Sequence, residues 1–370
     1  MSTLLKDRYN PAFYDQFCHA LASVLRGFDA TSFQALIFDE QWEARELKDR
    51  MKHTSTILHH FLPQPFEKAA GAILDIVQAL EAGGITENAL EYMFFPDYIE
   101  RFGLEHYAVS VRTMEELTPF TSCEFAVRPF IKKYEGKMLE QMLGWSEHAN
   151  HHVRRLASEG SRPRLPWAMA LPELKKDPSP VLPILENLKA DSSEYVRRSV
   201  ANSLNDISKD NPDIALSVFR DWIGRTLETD RLVKHGCRTL LKQGLPEVME
   251  LFGYSSSRDV ELKNVQIHTP IVSIGGQLEF SFQLLNQGQH PALIRLEYGL
   301  YYLRANSAHS RKVFKISERA YPPGSATLIK RKQSFRPITT RWYYPGPHEL
   351  SLIVNGVEVA KKNSNYEASI

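Results

Sequence analysis

Apolar residues recur at helical spacing through roughly the first two thirds of the chain and at strand spacing in the remainder. Asn10-Pro11 opens a stretch in which Phe13, Phe17, Ala20, Leu21 and Val24 share one helix face, and Gly27 ends it. Residues 69–81 place Ile73, Ile76, Val77 and Leu80 on one face and stop at Gly83-Gly84. The chain therefore begins as an all-helical protein.

From about residue 119 a Val followed by Arg or Lys recurs near the start of amphipathic stretches: Val127-Arg128, Val153-Arg154-Arg155, Val196-Arg197-Arg198 and Val233-Lys234. The Val positions lie 26, 43 and 37 residues apart, and two of these gaps are near the ~40–47 residues of a HEAT-type repeat, in which helix pairs stack into a solenoid. Within residues 195–209, Val196, Val200, Leu204 and Ile207 form an apolar face, while Arg198, Asn202 and Asp206 form a polar stripe predicted to point outward. Successive helices would then present Arg128, Arg154, Arg155, Arg197, Arg198 and Lys234 as a positive track suited to a nucleic acid backbone.

After residue 251 the period changes to two. Leu278, Phe280, Phe282 and Leu284 alternate with polar residues, Ile294 to Tyr302 do so less regularly, and Asn355-Gly356 is a two-residue hairpin turn within residues 348–359. Short strands punctuated by Gly and Pro over about 110 residues suit an immunoglobulin-like β-sandwich. The expected organisation is an all-α HEAT-like helical-repeat solenoid over 1–257, with its repeats from about 119, followed by the all-β domain over 258–370.

Charge sharpens that division. Residues 259–370 hold fourteen Lys/Arg against eight Asp/Glu, a net +6, whereas the remainder carries −5. A basic β-domain with Lys330-Arg331-Lys332 suggests a polyanion partner. The chain is otherwise ordinary, with 43% hydrophobic and 24% charged residues. It has no stretch approaching the roughly 18 apolar residues of a membrane span and no signal-peptide core in its first ten residues, and its three cysteines are widely spaced; a cytoplasmic protein is expected. Walker, GxGxxG and GxSxG motifs are missing, and His148, His151 and His152 lack the zincin spacing, which needs Glu where the chain has Ala149. Neither a metal, a cofactor nor a nucleotide is expected.

The remaining chemistry gathers at ASEGSRPRLPWA, residues 157–168. Pro163 and Pro166 each remove a backbone donor and bias the preceding residue toward extended geometry, so this segment is an irregular connection. The residues before it, 146–156, read as a helix that delivers Glu159 into the loop. Arg154, Arg155, Arg162 and Arg164 offer planar forks of donors that match phosphate, and Trp167 offers an aromatic face for a base. The loop contains no Lys, which predicts no Schiff base and no strand nicking.

The strings SCEFAVRPF, residues 122–130, and ASEGSRPRLPWA, together with the all-β tail, resemble the AlkC branch of the bacterial HEAT-like-repeat alkylpurine DNA glycosylases. The resemblance covers nearly the whole chain. It implies excision of cationic N-methylated bases such as 3-methyladenine, 3-methylcytosine and 1-methyladenine, with the immunoglobulin-like domain helping to encircle the duplex. In the related AlkD branch a Trp is followed four residues later by an Asp, whereas Trp167 is followed by Leu171. On this reading Glu159, Glu124 or Asp206 supplies the negative charge, in that order of preference, and Trp167 stacks on the lesion. Arg162 and Arg164 would hold flanking phosphates, and the basic tail would grip the duplex. The expected partner is double-stranded DNA carrying alkylated bases, bound by a monomer at the bacterial nucleoid. The rival reading is a non-catalytic helical scaffold that binds DNA or another protein.

Overall fold

The computed structural model describes residues 4–85, 89–254, 259–273, 275–337 and 343–367. Its contacts divide the chain into two compact units, Met1–Gly236 and Cys237–Ile370. The border expected at 257/258 lies outside the described residues.

The first unit is helical. Its N-terminal part comprises α1 (Pro11–Val24), α2 (Ala30–Ile37), α3 (Leu47–Phe61), α4 (Phe66–Ala82), α5 (Phe94–Phe102) and α6 (Tyr107–Leu117). Helix α1 starts where expected because the Asn10 side chain accepts a hydrogen bond from the Phe13 amide at 3.0 Å and Pro11 occupies its first turn. Helix α4 buries Ile73, Ile76, Val77 and Leu80, the face that periodicity selects. The repeats follow as α7 (Val127–Trp145), α8 (His151–Gly160), α9 (Pro172–Lys176), α10 (Leu182–Leu188), α11 (Glu194–Asp210), α12 (Pro212–Trp222) and α13 (Leu227–Gly236).

Helices α7, α8, α11 and α13 pack on one another in that order, and α10 and α12 pack against this layer. Val127, Val153, Val196 and Val233 are all buried within it. The recurring Val therefore marks the contact face of successive repeat helices, and its basic neighbour is placed on a different face by the 100° step of the helix. Close packing extends to the end of α8: a Cβ on Gly160 would come within 2.5 Å of Val127 Cγ1, so only glycine lets the two helices approach there.

The helix read over 146–156 begins at His151, because the Asn150 side chain accepts the His152 amide at 2.8 Å and caps it. The polar stripe of α11 does not stay outward: Arg198 is exposed, but Asp206 is buried and its charge is compensated internally.

The second unit opens with two short helices, α14 (Arg238–Gln243) and α15 (Pro246–Leu251), and continues as eight strands. Strands β1 (Val260–Ile267), β3 (Gln277–Asn286) and β6 (Ala326–Ser334) form one sheet in the order β1-β3-β6. The other sheet adds β2 (Ile271–Ser273), β4 (Ala292–Leu303), β5 (His309–Tyr321), β7 (Gly346–Val354) and β8 (Val357–Glu367) in the order β2-β8-β7-β4-β5. Leu278, Phe280, Phe282 and Leu284 meet Leu296, Leu300, Leu350 and Leu352 in the core, as an immunoglobulin-like sandwich requires. Asn355 (φ 46°) and Gly356 (φ 80°) form the hairpin turn between β7 and β8. Alternation in β4 is irregular because its second face is also covered: Arg295 pairs with Glu297 at 2.6 Å and Glu318 at 3.1 Å.

Candidate active site

Helix α8 ends where Arg128 takes over the carbonyls that the next helical turn would have satisfied. Its Nη1 donates to the carbonyls of Gly160 and Arg162, both at 2.8 Å, and its Nε donates to that of Met169 at 2.6 Å. The loop after α8 is thereby fastened at both feet to α7. Arg128 is fully buried, and burial, followed by the nearby Arg162 charge, lowers its pKa to about 10. This corrects its expected place on the phosphate track, since a guanidinium without solvent contact cannot meet a phosphate.

The other loop residues assemble an alternating chain of charges. Glu124 Oε2 accepts from Ser122 Oγ at 2.9 Å and from Arg155 Nη1 at 2.5 Å. Arg155 Nη2 lies 3.7 Å from Glu159 Oε1, which is 2.6 Å from Arg162 Nη1. Arg162 continues to Asp206 Oδ2 at 2.7 Å, and Asp206 Oδ1 accepts from Lys209 at 2.8 Å. Burial opposes the charge on Arg155 and Arg162, but their carboxylate partners win and hold both pKa values above the usual arginine value. Thus all three sequence-selected carboxylates belong to one network.

They are not equivalent. Glu124 lines an open cleft of about 270 Å³ together with Phe125, Arg155, Trp167 and Tyr195, with Leu90 and Met93 on its apolar side. Its Oε1 makes no hydrogen bond among the described residues. Glu159 is only 5% exposed and sits in the last turn of α8 rather than in the loop, one guanidinium behind the cleft. Asp206 has both oxygens occupied and is deeper still. Trp167 is 65% exposed and adopts a left-handed backbone with φ 66°. Tyr195 stacks on Arg155, whose guanidinium carbon lies 4.5 Å from the ring centroid.

Several residues expected to meet phosphate have other partners. Arg154 makes a two-pronged pair with Asp191 at 2.6 and 3.0 Å. Arg162 is buried between two carboxylates, which corrects its assignment to a flanking phosphate. Arg164 is exposed but pairs through both prongs with Asp210, and Arg197 donates to the carbonyls of Asp191 and Ser192. Arg198, Lys234, Lys330, Arg331 and Lys332 are exposed, with Lys332 also 2.6 Å from Glu279.

Sequence reasoning missed four participants. Arg231 and His235 of α13 join Arg197 and Arg198 of α11 on a groove of about 240 Å³ that also carries Glu194 and Glu228. Tyr195 directly precedes Val196-Arg197-Arg198, and an aromatic beside that pair is a usable signal. Lys48 of α3 donates to the Trp167 carbonyl and lies 5.4 Å from the Phe125 ring centroid. A loop without lysine in its own sequence thus has one beside its turn, with its ammonium engaged by the Trp167 carbonyl. No helix of the described residues is long and apolar enough to cross a membrane.

Both units are similar to known proteins. Residues 104–219 match the family described as "DNA alkylation repair enzyme", and residues 261–367 match "Uncharacterised protein YhaZ, C-terminal Ig-like domain". The chain is 41% identical over 352 residues to the uncharacterized protein YhaZ of Bacillus subtilis (strain 168), covering 95% of this chain and 96% of that one. It is 32% identical to the solved structure of Pseudomonas fluorescens alkylpurine DNA glycosylase AlkC bound to DNA containing an abasic site analog, with a TM-score of 0.93 over 99% of this chain and 100% of that chain. Full-length similarity in both sequence and fold, with the carboxylate cleft in the matched helical region, means that this chain belongs to the AlkC-type family of DNA alkylation repair glycosylases.

Proposed function

We propose that this protein is a monofunctional DNA glycosylase that releases cationic N-methylated bases, including 3-methyladenine, 3-methylcytosine and 1-methyladenine, from double-stranded DNA. The observation that carries this reading is the meeting, in one cleft, of the exposed Trp167 and of Glu124, whose Oε1 makes no hydrogen bond among the described residues. The AlkC structure, solved with DNA containing an abasic site analog, supports DNA as the partner.

A base alkylated on a ring nitrogen already carries positive charge and leaves as a neutral molecule, taking the electron pair of the C1′–N bond. No protonation of the leaving group is needed. The cation develops instead on C1′ and O4′ of the sugar, and a fixed carboxylate lowers that barrier without reorganising at the moment of reaction. Glu124 offers the open oxygen, and Glu159 adds negative charge from the far side of Arg155. Water then attacks C1′ and gives its proton to the Glu124 carboxylate. Trp167 stacks on the lesion or its deoxyribose.

A methyl group at N1 of adenine or N3 of cytosine blocks Watson–Crick pairing, so exposing such a base costs less than exposing an intact one. Arg198, Lys234, Lys330, Arg331 and Lys332 supply exposed charge for the phosphates. Incubation with methylated duplex, followed by chromatography, tests the reading. Free methylated bases and an uncut abasic strand are expected; duplex binding without base release would sink it.

A further inference from the structure

Trp167 occupies a backbone position that tryptophan does not choose for itself. The Ala168 amide donates to the Leu165 carbonyl at 3.3 Å, closing a four-residue turn with Pro166 second and Trp167 third. With Pro in the second place and φ 66° in the third, this turn favours glycine at residue 167. A bulky side chain held there must be fixed by its surroundings, and such positions concentrate at functional sites. Arg128 fastens the feet of the loop, at Gly160, Arg162 and Met169, but reaches no atom of the turn itself.

The turn is gripped from elsewhere. Lys48 extends from the first turn of α3 and donates to the carbonyl of Trp167. That carbonyl lies in the peptide plane linking Trp167 to Ala168, so fixing its direction fixes the second backbone angle of Trp167 and with it the direction in which the indole leaves the chain. The same ammonium lies 5.4 Å from the centre of Phe125, beside Glu124 in sequence. One side chain therefore spans two walls of the cleft.

We propose that Lys48 is a positioning residue that holds Trp167 in its left-handed conformation and so aims the indole at the damaged nucleotide. This rests on the function proposed above for the cleft. A competing role for an exposed lysine is a direct phosphate contact, which predicts different behaviour.

The test uses the full-length protein with Lys48→Met, Lys48→Arg, Trp167→Phe and the Lys48→Met/Trp167→Phe double variant. In protein labelled with 5-fluorotryptophan, the Trp167 resonance, assigned by Trp167→Phe, is expected to shift and broaden in Lys48→Met and to recover in Lys48→Arg. An unchanged resonance overturns the proposal whether or not the protein releases any base. In single-turnover assays at saturating enzyme, Lys48→Met should slow release of 3-methyladenine about ten- to a hundredfold, the scale of a misplaced reacting group. Affinity for undamaged duplex and its salt dependence should stay unchanged, and in the Trp167→Phe background the further loss should be small. Equal losses in both backgrounds, or a salt slope lowered by about one with full-speed release, as a phosphate contact gives, overturn it too.

Discussion

Arg155 Nη1 lies 2.5 Å from Glu124 Oε2, so the carboxylate that lines the cleft is held through one oxygen while Oε1 remains open. This arrangement lets a substitution separate charge from shape. Glu124→Gln keeps the size and the cleft wall but removes the anion facing a developing sugar cation. Base release should fall by about 10²–10³, the loss typical of a missing electrostatic stabiliser, while affinity for the duplex holds. Single-turnover release against equilibrium binding checks both, and undiminished release would remove Glu124 from the mechanism.

Glu159→Gln should also lose most base release with duplex affinity retained, because Arg155 and Arg162 both lean on that carboxylate. Since the two acids share Arg155, the double variant should lose less than the product of the single losses. Strictly multiplicative effects would mean that Glu124 and Glu159 act independently.

Asp206→Ala should act on stability first. The carboxylate is buried, accepts from Arg162 through one oxygen and from Lys209 through the other, and does not line the cleft. Removing it leaves Arg162 with Glu159 alone, a loss on the order of 3 kcal/mol for a broken buried pair. Urea unfolding followed by far-UV circular dichroism at the helical band would register this, and a change below about 0.5 kcal/mol, the ordinary surface range, would contradict it.

How much of this was visible in the sequence depends on the distance over which each feature is decided. The hairpin at Asn355-Gly356, the cap at Asn10 and the face of α4 rest on neighbours a few residues apart, and all three are as local rules predict. The Val-basic pairs were legible because a buried Val every repeat is a packing requirement, but their arginines were not: whether Arg128 meets water or three carbonyls is settled by residues 160–169 folding back onto it. Arg154 likewise turned to Asp191, and Arg162 to Asp206, across 37 and 44 positions. Lys48 and Trp167 are separated by 119 positions, so no reading of the loop alone could join them.

Glu100 makes a pH prediction. Burial, reinforced by the Asp97 charge, pushes its carboxyl up to about 7. A raised carboxyl pKa means that the folded state binds the proton more tightly than the unfolded chain, whose glutamate titrates near 4.3. The associated stability is fully present below about pH 4 and is lost as pH rises through 7. Glu100→Gln should therefore raise Tm at pH 8 and change it little at pH 4. A Tm difference that does not vary between those two pH values would contradict the shift.

Arg198 and Arg231 lead to the last prediction, on where the duplex backbone is held. They line one groove on adjacent helices α11 and α13, and neither is tied to a carboxylate among the described residues. Arg154 differs, because both prongs of its guanidinium are already on Asp191. If phosphates run along this groove, Arg198→Gln and Arg231→Gln should each weaken duplex binding and lower the slope of log affinity against log salt by about 0.9, the value for one released counterion. Arg154→Gln should leave that slope alone and lower Tm instead. Release at saturating enzyme should be unchanged in all three, since none lines the cleft that holds Glu124 and Trp167. Duplex titrations at four or five salt concentrations separate the cases, and equal slopes for wild type, Arg198→Gln and Arg231→Gln would place the backbone elsewhere on the protein.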